Sequence, residues 1–243
     1  MPANLKNPST VHYALPFVTA VLCLLTACGS SRADSAANRA EASMPGSVTR
    51  VSTSTLAEPA FTPLMTSLDG WTLLNADAGS FILENGTLKV SGDRGWLRSP
   101  REYTDFVLRV DFRFLEPSSD SGIFLRVEPG TDFILGWPGD AYQVQVRDIS
   151  ENPGNNPLPL AHIYRHVVPD GNTIYNRDML DAAYTGVGEW QQYEIRVLDR
   201  QMTVSLNGTV ITTALDLDNL AGYIGFQSER GTIEYRNLSI YEF

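Results

Sequence analysis

The stretch Phe106-Val107-Leu108-Arg109-Val110-Asp111-Phe112-Arg113-Phe114 decides the fold class. Apolar and polar side chains alternate along it, which is the period of a strand with one face in a core and one in water. Upstream, Ser80 to Leu83, Thr87 to Val90 and Trp96 to Arg98 read as shorter strands, the first two joined through Asn85-Gly86. Asn-Gly is the strongest short hairpin signal, because both residues accept positive φ. Downstream come Ile123 to Val127, Tyr142 to Arg147, Gln192 to Leu198, Thr203 to Leu206, Val210 to Thr213, Tyr223 to Gln227 and Thr232 to Glu242. A second Asn-Gly pair, Asn207-Gly208, sits among them. Many short strands, turn signals between them and no amphipathic helix predict an all-β fold: a two-sheet antiparallel β-sandwich or jelly roll.

Ile149 to Gly188 breaks this rhythm with Pro153, Pro157, Pro159 and Pro169. Long irregular segments inside a domain are usually functional or disordered. The His, Tyr, Arg and Asp residues here favour function, so the segment is expected over one sheet face as the wall of a site. Period-2 geometry also assigns faces. Ile123, Leu125 and Val127 should point inward, as should Tyr142, Val144 and Val146. Phe124, Arg126, Gln143, Gln145 and Arg147 should share the outer face. An aromatic ring beside amides and guanidinium groups suits a sugar, which offers both a C–H face and hydroxyls. A plain solvated sheet face has the same pattern.

The chain has 243 residues and a formal net charge of −10. That balance gives no basic footprint, so nucleic acid is not an expected partner. Its two cysteines, Cys23 and Cys28, both lie near the N-terminus. After Lys6, an apolar run from Tyr13 to Leu25 is too short for a good spanning helix and contains Pro16. It ends in Leu25-Thr26-Ala27-Cys28-Gly29, the pattern of a bacterial lipoprotein signal. Residues 1–27 are therefore expected to be removed and Cys28 lipidated. Residues 28–55, rich in Ser, Ala and Thr, should form a flexible tether to a domain at 56–243. This places the domain in the cell envelope, held to the membrane by its lipid anchor. Gly29 after the cysteine leans toward the outer membrane, facing periplasm or surface.

Several stretches together also carry a family resemblance. They are SLDGW (Ser67 to Trp71), FILENGTLKVSG, YTDFVLRVDFRF (Tyr103 to Phe114), DSGIFLRV (Asp120 to Val127), YQVQVRD (Tyr142 to Asp148), GEWQQYEIRVLDRQMTVSLNG (Gly188 to Gly208) and GYIGFQSERGTIEYRNLSIYEF. In this order and spacing the chain resembles the 3-keto-disaccharide hydrolase family, also called domain of unknown function 1080. The resemblance implies a concanavalin/laminarinase-like jelly roll and an oxidised glycoside as substrate. A C3 ketone acidifies C2–H, so a base can form an enolate and expel the group at C1. That chemistry needs a base, an enolate stabiliser and an acid. The site is expected on the concave sheet face, at Arg126, Gln145 and Asp148.

One position departs from the family. Its strand usually reads Tyr-Glu-x-Gln-x-x-Asp, and here the Glu position is Gln143. Gln is neither a base nor a carboxylate ligand. The candidate catalytic residues are thus His162, Asp148 and Glu229, with Phe124, Arg126, Gln143, Gln145, Arg147, Tyr164 and Gln227 as substrate contacts. His162 and His166 with Asp148 or Glu229 could also supply ligands to a divalent metal, although their spacing matches no known signature. Three readings stay open: a glycoside-cleaving enzyme, hydrolytic or eliminative, a non-catalytic carbohydrate-binding surface lipoprotein, and a structural surface protein.

Overall fold

The computed structural model describes residues 60–130, 133–151, 158–165 and 172–243, with backbone only at 133, 134, 164, 165 and 172. Cys28, the proposed signal and tether, and His166 lie outside these residues. The chain divides into two units, Met1–Ser54 and Thr55–Phe243, and everything described belongs to the second.

Its strands run in order β1 (Thr62–Pro63), β2 (Thr72–Leu74), β3 (Phe81–Glu84), β4 (Thr87–Ser91), β5 (Gly95–Tyr103), β6 (Phe106–Phe114), β7 (Asp120–Val127), β8 (Phe133–Ile134) and β9 (Trp137–Pro138). Then come β10 (Tyr142–Arg147), β11 (Ile163–Arg165), β12 (Asn172–Tyr175), helix α1 (Arg177–Ala183), β13 (Gln191–Leu198), β14 (Gln201–Leu206), β15 (Thr209–Leu215), β16 (Gly222–Ser228) and β17 (Thr232–Glu242). Nine strands form one sheet in the order β12-β15-β14-β13-β6-β17-β4-β3, with β1 on β17. Six form the other, β11-β10-β7-β16-β5-β2, and β8-β9 is a separate hairpin. All pairings are antiparallel.

The Phe106–Phe114 stretch is the centre of this sandwich. Its apolar members Phe106, Leu108, Val110, Phe112 and Phe114 are fully buried between the sheets. Each buried side chain of this size contributes roughly 1.5–3 kcal/mol. The alternate positions face outward and pair across strands: Arg109 with Glu194 on β13 at 2.8 Å, Arg113 with Glu234 on β17 at 2.7 Å. Both predicted hairpin turns form, with positive φ at Asn85-Gly86 and at Asn207-Gly208.

The described parts of the Ile149–Gly188 segment carry regular structure: β11 extends the six-stranded sheet beside β10, and β12 extends the nine-stranded sheet beside β15. Between β12 and β13 lies α1, a helix that period-3.6 reading passes over because only Leu180 is buried. Asn176 caps it, its side chain accepting the Met179 N–H at 3.0 Å, and Arg177 pairs with Asp181 one turn on.

Candidate functional site

The six-stranded sheet turns one face to the core and the other outward. On the outward face β10, β7 and β16 bring three amides and two carboxylates together. Gln145 Nε2 donates to Asp120 Oδ1 at 2.7 Å, and Gln227 Nε2 donates to Glu229 Oε2 at 3.0 Å. Gln143 lies between, its Nε2 donating to Gln145 Oε1 at 2.6 Å and to Gln227 Oε1 at 3.0 Å. All three amides and Asp120 are buried. This layer exists because position 122 is glycine. Gly122 pairs with Gln145, and Phe226 pairs with Ile123, which brings Gln227 alongside Gly122. A Cβ on Gly122 would fall 2.4 Å from Gln143 Nε2 and 2.7 Å from Gln227 Oε1.

Two cations pair with Asp120. Arg147 Nε lies 3.3 Å from Asp120 Oδ2, and Arg230 Nη2 lies 3.7 Å from the same oxygen. Burial pushes the Asp120 carboxyl up to about 7, and the nearby Glu229 charge adds to this against the pull of Arg147 and Arg230. Burial also raises Glu229, opposed by Arg147, Arg230 and Arg94. Glu229 is the member that reaches solvent. It lines a cleft of about 580 Å³ with Asp93, Arg94, Trp137 and Arg230. Trp137 comes from the β8-β9 hairpin, its indole N–H donating to Ser228 O at 3.3 Å, with the Arg94 guanidinium 5.8 Å from its ring centre.

Sequence-predicted residues sort unevenly onto this geometry. Gln143, Gln145, Arg147, Gln227 and Glu229 come together as described. Phe124 does not offer a stacking face. It is fully buried in a second apolar cluster with Trp96, Val127, Trp137 and Ala141, its ring edge-on to Trp96 at 5.8 Å. Arg126 leaves the face altogether. Its φ of 50° breaks the strand's alternation, so Val127 joins this outer cluster rather than the core. The Arg126 guanidinium is fully buried, donating to the carbonyls of Thr104, Asp199 and Asn219 and to Asp105 Oδ1 at 2.6–3.2 Å.

Asp148 is also elsewhere. Beyond the end of β10 its carboxylate accepts from Ser118 N, Ser150 N, Ser150 Oγ and Tyr184 Oη at 2.5–3.0 Å. Burial alone would raise its pKa, but these four bonds outweigh burial and hold it below the usual carboxylate range. These bonds tie the Ser118, Ser150 and Tyr184 segments together. His162 continues β11 opposite Gln145, and its backbone carbonyl accepts from Gln145 N–H at 2.9 Å. Positive φ at Ala161 reorients the chain there, and the imidazole packs 5.6 Å from the Tyr175 ring of the other sheet. Tyr164 stands opposite Gln143 in register. Among the described residues no three His, Cys, Asp or Glu side chains cluster as a metal site would need. Asp148 is committed to loop donors, and His166 of the predicted ligand set lies outside the described residues.

Sequence reading missed Asp120, Trp137 and Arg94. Asp120 was legible in principle, because it shares the parity of Gly122 and Phe124 on β7. Trp137 was not, since its two-residue strand carries no periodicity.

Residues 60–241 match the 3-keto-alpha-glucoside-1,2-lyase-like domain family. The chain belongs to this family. The fold of this lyase-like domain is also that of a Parabacteroides distasonis ATCC 8503 protein assigned as a glycosyl hydrolase (TM-score 0.58, 20% identity, covering 76% of this chain and 100% of that one). A carbohydrate-binding module of family 66 from Bacillus subtilis shares it at TM-score 0.51 and 13% identity, covering 74% and 100%. So does a B. subtilis protein with a galectin-like fold, at TM-score 0.51 and 16% identity, covering 75% and 94%. The lyase-like domain thus has a fold used both by proteins assigned to glycoside cleavage and by carbohydrate binders. No curated protein sequence matches the chain.

Proposed function

We propose that this domain cleaves the glycosidic bond of 3-keto sugars in the cleft at Glu229. The observation that carries the reading is a carboxylate of raised pKa, lining an open cleft beside Trp137, Arg94 and Arg230, in a lyase-like family member. A base works best when its pKa approaches the operating pH, and burial moves Glu229 in that direction. Glu229 takes the C2 proton of the keto sugar, leaving an enolate whose charge Arg94 and Arg230 stabilise. The C1–O bond then breaks as the C1=C2 bond forms, and the proton passes from Glu229 to the departing oxygen. Addition of water across C1=C2 would complete a net hydrolysis. Trp137 supplies an apolar surface for the sugar's C–H face.

The test is incubation of purified domain with a panel of 3-keto-glycosides and their unoxidised parents. Release of aglycone from the keto forms alone is expected, and release from neither would sink the reading. A second reading has its own support: Gln143 replaces the family's Glu, and the fold is shared with a carbohydrate-binding module. It predicts saturable glycan binding, weakened by Trp137→Ala, without turnover.

We further propose that the domain is exported and lipid-anchored through Cys28 at the outer membrane. This rests on the Leu25-Thr26-Ala27-Cys28 signal. Metabolic labelling with a palmitate analogue should mark the wild-type chain and not Cys28→Ser. Equal labelling of both would overturn the assignment.

A further inference from the structure

Carboxylates only accept hydrogen bonds when ionised, whereas a primary amide has a donating end and an accepting end. That asymmetry gives the five-residue layer on the outer sheet face a direction. At one end Asp120 Oδ1 accepts from Gln145 Nε2, and at the other Glu229 Oε2 accepts from Gln227 Nε2. Both glutamines must therefore turn their Oε1 atoms inward, toward Gln143. Two facing acceptors require a residue with two hydrogens on one atom. Gln143 Nε2 supplies them, one to each side. Among side chains of this length, only an amide can do so without carrying a charge.

We infer that Gln143 is a positioning residue that sets the polarity of this amide ladder, so that Asp120 and Glu229 are each met by an amide N–H and accept without a proton of their own. The same geometry says what a glutamate would do at this position. An ionised carboxylate there has no hydrogen to give, so Gln145 and Gln227 would flip and donate to it. Their oxygens would then face Asp120 and Glu229, and each carboxyl would need a proton to donate back. Alternatively the introduced carboxyl would itself take the proton and satisfy only one side. Either way, the folded protein gains at least one proton at neutral pH. Among the described residues, the charged and titratable groups facing the ladder are Arg147 on β10, Arg230 after β16, Asp93 and Arg94 before β5, and Tyr235 on β17 through Ser121. Tyr164 on β11 stands opposite Gln143.

The inference rests on the reading of Glu229 as an ionisable acid–base group, but its test reads unfolding instead of turnover, so each can fail without the other. A group bound to a proton more tightly in the folded state costs stability as pH rises through that range. In wild type, Asp120 makes stability fall between about pH 4 and pH 7, the interval between its unfolded and folded pKa, and level off above. Gln143→Glu should extend the fall beyond pH 7. Its melting temperature should match wild type at pH 5 to within a few degrees and lie about 5–10 °C below it at pH 8. Adding Asp120→Asn gives the flipped Gln145 oxygen a neutral donor, and Glu229→Gln does the same for Gln227. The triple variant should therefore lose the extra pH dependence. Parallel pH–melting curves for wild type and Gln143→Glu would overturn the inference. So would a triple variant that keeps the steep decline above pH 7.

Discussion

Glu229→Gln should lower kcat/KM on a 3-keto-glycoside by about 10²–10⁴-fold, the range for loss of a positioned acid–base group. The substitution is conservative for structure. The carbonyl oxygen of the new amide can still accept the Gln227 N–H, so the ladder keeps its direction and the fold should survive. What disappears is the proton acceptor in the cleft. In the wild type, kcat/KM should rise with pH along an acid limb, as the free enzyme's Glu229 ionises. Burial raises that carboxyl, so the limb should lie above the ordinary Glu value of about 4.3. In Glu229→Gln the limb should vanish with the activity. A variant of full activity, or one that keeps the same limb, would show that another group takes the proton.

The second large effect is on stability, at Arg126. Sequence reading placed this side chain on the sugar-facing surface, where Arg126→Ala would weaken binding and spare the fold. The structure requires the opposite. The guanidinium is fully buried and bridges three loops, with Asp105 as its ion-pair partner at 3.0 Å. Truncating so large a fully buried side chain leaves a cavity and strips the donors from the carbonyls it holds, a loss of about 3–5 kcal/mol although Asp105 keeps access to solvent. For a domain of this size that corresponds to a melting temperature lowered by roughly 6–20 °C. Arg126→Lys should recover only part of the loss, because an ammonium cannot span the carbonyls of Thr104, Asp199 and Asn219 as the planar fork does. Unchanged melting with impaired glycan binding would restore the sequence-based view.

Arg126 and Gln143 show where sequence legibility stops. Both were placed on one face by period 2, which holds as long as the strand stays extended. At Arg126 a single positive φ ends that condition, and no residue pattern announces it, since arginine has no preference for left-handed backbone. At Gln143 the face was right but the environment was not. Period 2 separates inward from outward and is silent on what covers the outward side. Phe124 met the same limit: outward by parity, yet buried beneath Trp137 and Trp96. Asp148 was assigned from a family motif. Its four donors come from loops and from the residue after α1, which are distant in sequence and unpatterned.

By itself the sequence determined the all-β class, the alternation that builds the core around Phe106–Phe114, the two Asn-Gly hairpins and the family. These follow from local periodicity, from turn residues that tolerate positive φ, and from the collinear order of motifs. Tertiary structure alone decided that Asp120 and Glu229 are joined through Gln145, Gln143 and Gln227, and that Arg126 and Asp148 fasten loops. Hydrogen-bond direction across strands depends on which side chains meet, and strand pairing, bulges and the glycine gap at Gly122 set those meetings. None of them is written in the spacing of residues along one strand.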